Sequence, residues 1–337
     1  MYNKQNKTMI VITGATGFIG SNLLAEMEHR GFNDIIAVDT FGNGEKWKNV
    51  ERLSTARFVF PIELDSLLKG YDKEIEAIIH LGGISTTTET DADLIVKNNI
   101  QLTINLYLFC KSLGIPFIYA SSASTYGSGE NGYYDNDNVE YLEHLKPLNL
   151  YGWSKCYIDR FIAHDNLRTR NTSQVVGLKF FNVYGPNESH KKDQASVMYK
   201  FYHELRDTHK IQLFKSYHKL YRNGEQQRDF VYVDDCVNVI LWILGHPSVK
   251  GIFNVGTGHA RTFLDVANII KLHCNNNADI EYIEMPPAIQ KHYQYYTCAD
   301  IRKLRAVGYE NPFCSIEEGI NSCLLYTSPS PRDYAAS

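Results

Sequence analysis

Tyr151 and Lys155 stand four positions apart in the run Tyr151-Gly152-Trp153-Ser154-Lys155. On a helix that spacing puts both side chains on one face, so an ammonium can lie beside a phenol and lower the cost of forming the phenolate. A phenolate so placed can take a proton from an alcohol. An unperturbed tyrosine, with a pKa of about 10, is a poor base at neutral pH, which is why the cation is needed. Ser122, in a hydroxyl-rich group with Ser121 and Thr125, is a candidate to hydrogen-bond the reacting oxygen. Alone, the same spacing also suits a solvated helix face.

Oxidising a secondary alcohol also requires a hydride acceptor, and the start of the chain has the pattern that binds one. Met9 to Thr13 is a short apolar, β-branched run, followed by Gly14-Ala15-Thr16-Gly17-Phe18-Ile19-Gly20 and then a helical pattern over Ser21 to Arg30 through Leu23, Leu24 and Met27. Strand, glycine turn and helix in this order suit a dinucleotide phosphate loop. Gly14 allows the tight turn, Gly17 lets the backbone approach a pyrophosphate, and Gly20 lets helix and strand pack closely, while the helix N-terminus favours the anion. A second strand, Ile35 to Val38, ends at Asp39, where a carboxylate can bind adenosine ribose hydroxyls and so favour NAD. Lys46 follows in the loop after Gly42-Asn43-Gly44 and could reach the 2′-phosphate of NADP, so the residues leave both cofactors open.

Strands and helices then alternate: strands at Phe58 to Phe60, Ala77 to Leu81 and Phe117 to Ser121, with a helix over Leu94 to Leu113 before the last of them. Repeated βα units imply an α/β fold with a doubly wound parallel sheet whose ligands sit at the carboxyl ends of its strands. Gly82, Gly83 and Ser85 close one such strand, and Ser121, Ser122 and Thr125 the next, so both groups should face the nicotinamide. Further strands are predicted at Gln174 to Phe181, Phe230 to Val233 and Gly251 to Val255. The interruption from Gly185 to Gln227, polar and irregular apart from a helix near Ser196 to Leu205, reads as substrate-domain material joined later by Thr262 to Gly319. The expected division is a cofactor domain over residues 1–181 with 228–258 returning to it, and a substrate domain over 182–227 and 259–322.

The 337 residues carry a net charge of -4, which argues against a nucleic-acid partner or a polybasic membrane surface and for a small-molecule substrate. No apolar run has the length of a membrane span and Met1 to Thr8 is polar, so a cytoplasmic protein is expected. The seven cysteines are scattered and show no metal-binding spacing, so no metal is expected. Cys323 to Asp333 lacks a helical or strand pattern and resembles the in-frame translation of a sequencing-library adapter. On that reading the natural chain was cut near Ser322 and residues 323–337 are non-native; a disordered Ser/Pro tail is the alternative.

Six blocks are similar to the extended short-chain dehydrogenase/reductase family of nucleotide-sugar enzymes: TGATGFIG (Thr13 to Gly20), YASSASTYG (Tyr119 to Gly127), PLNLYGWSK (Pro147 to Lys155), FFNVYGP (Phe180 to Pro186), RDFVYVDD (Arg228 to Asp235) and FNVGTG (Phe253 to Gly258). The resemblance implies a Rossmann-type sheet with a smaller C-terminal α/β substrate domain, and a homo-oligomer. Within the family, LGGISTTTETD (Leu81 to Asp91), Phe180 to Val197 and His292 to Tyr309 resemble the branch that epimerises C6 of an ADP-linked heptose for lipopolysaccharide core biosynthesis. That branch implies a bound NADP that oxidises C6 and returns hydride to the opposite face. It also implies a second base, a lysine beyond FNVYGP, which falls on Lys191; Lys191 alone reads as a solvated loop charge.

The same resemblance assigns Phe18 and Ile19 to the cofactor turn, Asp39, Thr40 and Lys46 to the adenosine ribose, and Leu81, Gly82, Gly83, Ile84, Ser85 and Asn98 to the length of the cofactor, with Val183 and Lys191 at the nicotinamide. Asn182, Asp193, Lys200, Phe214, Lys215, Ser216, Arg228 and Tyr293 fall at the substrate, the Arg228 fork suiting its diphosphate. Departures are the start of the Leu81-Gly82-Gly83 segment, Asp193, Lys200 and a longer Tyr217 to Gln227, which concern substrate contacts more than the redox centre. A UDP-hexose 4-epimerase, which needs no second base, and a 4,6-dehydratase, disfavoured by Ala123-Ser124-Thr125 after Ser122, are rivals within the family. A non-catalytic cofactor sensor is the rival from another class.

Overall fold

Eight of the sixteen residues from Gly14 to His29 are buried, so the first turn and helix pack into the interior beside the strand that precedes them. The structure, a computed structural model, describes residues 9–169, 173–274, 278–290 and 293–327. The strands are β1 (Met9–Thr13), β2 (Ile35–Val38), β3 (Ala56–Val59), β4 (Ile75–His80), β5 (Phe117–Ser122), β6 (Val175–Phe180), β7 (Asn182–Tyr184), β8 (Lys210–Phe214), β9 (Gln227–Tyr232), β10 (Gly251–Val255), β11 (Ala260–Thr262) and β12 (Asp279–Ile283). The longer helices are α1 (Phe18–His29), α2 (Leu102–Leu113), α3 (Leu150–Arg168), α4 (Val197–Thr208), α5 (Val233–Leu244), α6 (Phe263–His273) and α7 (Ile316–Thr327).

Seven strands form one parallel sheet in the order β10-β6-β5-β4-β1-β2-β3. The winding reverses between β1 and β4, and ligands of such sheets bind in the crevice that this reversal opens. β1, β2 and β6 are buried along their whole length because helices cover both faces. Met27, Leu23 and Leu24 of α1 and Val237, Ile240 and Leu241 of α5 close one side around Ile10, Ile12 and Ala37. Tyr107, Cys110, Ile158 and Ile162 close the other around Val11, Ile36 and Phe117.

The remaining strands build two small sheets, β11-β9-β7 and β12-β8. Met198, Phe201, Leu205, Ile211, Leu213, Val266, Ile270 and Ile320 form their shared core. Residues 228–258, expected to rejoin the main sheet together, divide: β10 pairs with β6, whereas β9 pairs with β7 and β11. Both carry a short buried apolar stretch, Phe230 to Tyr232 in β9 and Ile252 and Phe253 in β10, which specifies burial without specifying which sheet supplies it. β8 lies in the stretch read as irregular, and β12 in the later substrate-domain stretch, for which no strand was read. They are five-residue strands paired only with each other, and in β8 the buried Ile211 and Leu213 alternate with exposed Lys210 and Gln212.

The predicted helix over Leu94 to Leu113 begins at Ala92 and contains a π-helical stretch, Val96–Gln101. At the other end, α7 continues five residues past Ser322, so Cys323 to Thr327 are helical where no helical pattern was read. Ile316, Ile320 and Cys323 supply the i, i+4, i+7 stripe that packs on the small core. Residues 328–337, and His292 from the quoted C-terminal segment, lie outside the described residues. Among the described residues no helix is long and apolar enough to cross a membrane.

Candidate active site

The glycine turn lies against the loop that follows β4. Gly14 has φ +69°, and a Cβ there would stand 2.5 Å from the Gly82 nitrogen; a Cβ on Gly20 would stand 2.1 Å from the Gly14 carbonyl oxygen. Neither position tolerates a side chain, so the N-terminus of α1 stays open to an anion. Asp39, at the end of β2, accepts hydrogen bonds from the Thr16 amide (2.9 Å) and hydroxyl (2.8 Å) on one oxygen. Its other oxygen accepts from the Thr40 amide and from Lys46 Nζ, both at 2.7 Å. Lys46 also donates to the Thr40 carbonyl, and Thr40 is not among the residues of the cavity wall.

The loop after β4 is held by Asn99, not by Asn98. Asn99 is fully buried; its carbonyl oxygen accepts from the Ile84 amide at 2.8 Å, and its nitrogen donates to the Ile84 carbonyl and to Ser154 Oγ. Asn98 turns back to the Leu94 carbonyl of its own helix. Both lie within the π-helical stretch Val96–Gln101, whose wider turn changes which side chain faces the loop relative to an α-helix. Below this loop, His80 bridges Thr13 and Thr103 at 2.5 and 2.8 Å. Burial holds its pKa down to about 3, so it is a neutral imidazole.

α3 begins where Asn149 caps the Gly152 amide at 2.8 Å, which places Tyr151 in the first turn. Gly152 lets that turn touch the end of β5: a Cβ would approach the Ser124 carbonyl to 2.7 Å. Tyr151 is thereby brought to Ser122, whose Oγ also accepts from the Ser124 amide at 3.1 Å. Lys155 is 3% exposed, with Nζ 6.0 Å from the centre of the Tyr151 ring and beside Gly83. Burial raises the Tyr151 pKa, offset in part by hydrogen bonding to Ser122. The lowering expected from Lys155 does not contribute to this shift. Burial also lowers Lys155, to about 8, against the opposing charge of Asp159.

Lys191 comes from a separate segment, the short helical turn Ser189–Gln194 after β7. Its amide donates to the Glu188 carbonyl at 3.0 Å. Glu188 is buried and anchors the turn through the Ser196 amide and hydroxyl. Lys192 has φ +50°, a conformation that costs a non-glycine residue about 1–3 kcal/mol and reverses the chain just after Lys191. Lys191 Nζ sits 4.9 Å from the Phe18 ring centre, and burial lowers its pKa, with the Glu188 carboxylate opposing and the Lys200 charge adding. His190 hydrogen-bonds Asn49, which also donates to the Thr16 carbonyl.

These groups line one cavity of about 410 Å³. Of the expected residues its wall contains Gly14, Gly17, Phe18, Ile19, Gly20, Asp39, Lys46, Leu81, Gly82, Gly83, Ser85, Ser122, Tyr151, Lys155, Val183 and Lys191. Ala120, Ser121, Phe180, Phe181 and His190 line it too; His190 was visible only as a neighbour of Lys191, and the others only as strand ends. Profile comparison matches residues 10–256 to the NAD dependent epimerase/dehydratase family.

The chain belongs to the NAD-dependent epimerase/dehydratase family.

Curated relatives of this epimerase/dehydratase-family chain include the ADP-L-glycero-D-manno-heptose-6-epimerases of Alkalilimnicola ehrlichii and Fusobacterium nucleatum. The first is 41% identical over 96% of this chain and 98% of the relative, the second 42% identical over 93% and 96%. Among solved structures, the Helicobacter pylori ADP-L-glycero-D-manno-heptose-6-epimerase superposes with a TM-score of 0.77 at 27% identity, covering 97% of this chain and 99% of the other.

The residues expected at the substrate do not line the cavity. Phe214, Lys215, Ser216, Arg228 and Tyr293 gather beyond it, with Arg228 between the rings of Tyr293 (5.2 Å) and Phe263 (5.6 Å) and Phe214 edge-on to Tyr293. Tyr133 bridges the two regions: its ring lies 6.2 Å from that of Phe181 in the cavity wall, and its hydroxyl feels the Arg228 charge. Asn182 is exposed at the start of β7. Asp193 is exposed and its carbonyl binds Lys200 Nζ at 2.7 Å, so these two residues pair with each other.

Proposed function

We propose that this chain interconverts ADP-D-glycero-D-manno-heptose and ADP-L-glycero-D-manno-heptose by transient oxidation at C6 with a bound NADP, in the cytoplasm. The observation that carries the reading is that Tyr151 and Lys191, from unrelated elements, line one cavity with the glycine turn. Inverting a carbon without turning the sugar over calls for a proton-transfer group on each face, and a 4-epimerase that rotates its substrate has no use for Lys191.

The cradle fits a dinucleotide: the turn at Gly14 and Gly20 admits no side chain, and the Asp39–Lys46 pair stands where the adenosine ribose would lie. A bound nicotinamide would supply the hydride acceptor and donor at C6. Tyr151 takes the proton of the C6 hydroxyl of one epimer, Ser122 holds that oxygen, and Lys155 stabilises the phenolate. Lys191 gives or takes the proton on the other face. Its lowered pKa brings its neutral form closer to physiological pH. Arg228, walled by Tyr293 and Phe263, holds the diphosphate, with Phe214, Lys215 and Ser216 around the nucleotide.

The test is incubation of the purified protein with each ADP-heptose epimer carrying deuterium at C6. Interconversion with the label retained supports direct hydride return. Loss of label to solvent, or no interconversion, overturns the reading.

A further inference from the structure

Beneath Lys155 lies an ion pair sealed from solvent. Lys179 Nζ contacts Asp159 Oδ2 at 2.6 Å, with neither side chain exposed. Lys179 is the one charged residue of β6, otherwise Val175, Val176, Gly177, Leu178 and Phe180, and pairs in register with Ser121. Asp159 receives three donors: Lys179, Ser121 Oγ at 2.8 Å and Tyr119 OH at 3.0 Å. Lys179 also donates to Thr125 Oγ1 at 2.6 Å, and the Thr125 hydroxyl donates to the Ser122 carbonyl at 2.8 Å. The pair is thus bonded to the turn that carries Ser122.

Stability alone does not account for a pair in this place, since apolar side chains of similar volume would serve a buried site as well. Its position does. Asp159 follows Lys155 by four residues on α3, so the two share a helix face and both are buried. In so dry a site, a carboxylate one turn away acts strongly on an ammonium.

We propose that Asp159 is a positioning residue that keeps Lys155 in its charged form beside Tyr151, with Lys179 and Thr125 fixing the carboxylate relative to Ser122. This rests on the reading of Tyr151 and Lys155 as the proton-transfer pair. The titratable groups around Lys155 are Tyr151 and Asp159 on its own helix, His80 from β4, and Lys179 and Tyr119 behind Asp159 from β6 and β5. Burial pushes the Lys155 proton off and Asp159 opposes it, whereas His80 is neutral and Tyr119 stays protonated because burial raises its pKa. Asp159 is therefore the group whose negative charge supports the ammonium.

The test follows the pH dependence of Lys155 labelling by trace formaldehyde and cyanoborohydride in the cofactor-free protein, read by mass spectrometry, alongside the alkaline limb of turnover. The double variant Asp159→Asn/Lys179→Met removes both charges at nearly constant volume. Its labelling midpoint and alkaline limb should fall by roughly 0.5 to 1 pH unit. Asp159→Asn alone, which leaves the Lys179 charge, should fall further and serves if the double variant does not fold. Tyr119→Phe, which removes a hydrogen bond and no charge, should lower stability and leave the midpoint in place. An unchanged or raised midpoint in the charge-free variant overturns the proposal. Labelling needs no substrate, so a wild-type protein that fails to turn over the heptose overturns the activity reading alone.

Discussion

Lys191 Nζ stands 4.9 Å from the centre of the Phe18 ring, which ties a loop far along the chain to the first residue of α1. Phe18 belongs to the glycine turn, so this contact sets the distance between the second candidate proton-transfer group and the dinucleotide cradle. An ammonium over an aromatic face is attracted to it without losing its freedom to exchange a proton. Burial and the Lys200 charge favour the neutral form of Lys191, and the Glu188 carboxylate opposes them.

Replacing Lys191 with Met should lower epimerisation in both directions by about 10²- to 10⁴-fold, the usual contribution of a positioned acid or base. The fold should survive, because the flexible thioether can occupy the place of the lysine stem above Phe18. Initial rates from each epimer, with thermal melting as control, check this. Unchanged rates would return Lys191 to the solvated loop charge that its local sequence suggests.

Turnover should fall as pH rises through about 8, where the buried Lys155 loses its proton. Stability should respond with the opposite sign. The unfolded chain keeps this proton until about pH 10.5, so between the two values it binds more protons than the folded protein and the Lys155 contribution rises with pH. Comparing wild type with Lys155→Met in denaturant titrations at pH 7 and pH 9.5 isolates that contribution: the gap should narrow or reverse towards the wild type at the higher pH. A parallel rise or fall of activity and stability would contradict the assignment.

The parts of the site that follow local rules were legible in the sequence. Gly14, Gly17 and Gly20 occur at the spacing a strand-turn-helix requires, and Tyr151 and Lys155 at one turn of a helix, so neither needed knowledge of the rest of the chain. Asn99 was not legible, because the π-helical stretch that turns it under Ile84 leaves no mark that separates it from Asn98. β8 and β12 escaped because each finds its only strand partner in the other, across a long separation in sequence. Lys191 was reached through resemblance, since a lysine in a polar loop carries no local sign that a distant phenylalanine will cover it.

Asp235 provides a prediction away from the site. Burial raises its pKa to about 6, although its carboxylate accepts the Cys314 amide at 2.8 Å. A carboxyl whose folded pKa lies above its unfolded value stabilises fully below pH 4 and loses that contribution as pH rises through 6. Asp235→Asn keeps an acceptor for Cys314 and carries no charge to desolvate. It should stabilise the protein by about 1–3 kcal/mol at pH 7.5 and leave it nearly unchanged near pH 4. Urea midpoints at the two pH values decide; a gain of equal size at both would point to packing instead of charge.

Cofactor choice should turn on Lys46. Asp39 has no oxygen left over: the Thr16 amide and hydroxyl fill one, and the Thr40 amide and Lys46 fill the other. A carboxylate so occupied is poorly placed to select a ribose by its hydroxyls, and Lys46 offsets the charge that would otherwise repel a 2′-phosphate. Burial depresses the His190 pKa and the nearby Lys46 charge adds to it, so a second donor stands beside the first. Lys46→Ala should therefore weaken NADP binding about tenfold or more, the scale of one hydrogen bond to a charged group, and change NAD affinity by less than about threefold. Dissociation constants for both cofactors, measured on both proteins at one ionic strength, give the ratio. Equal losses would assign Lys46 to holding Asp39 in place, and a loss confined to NAD would make Asp39 the selecting group after all.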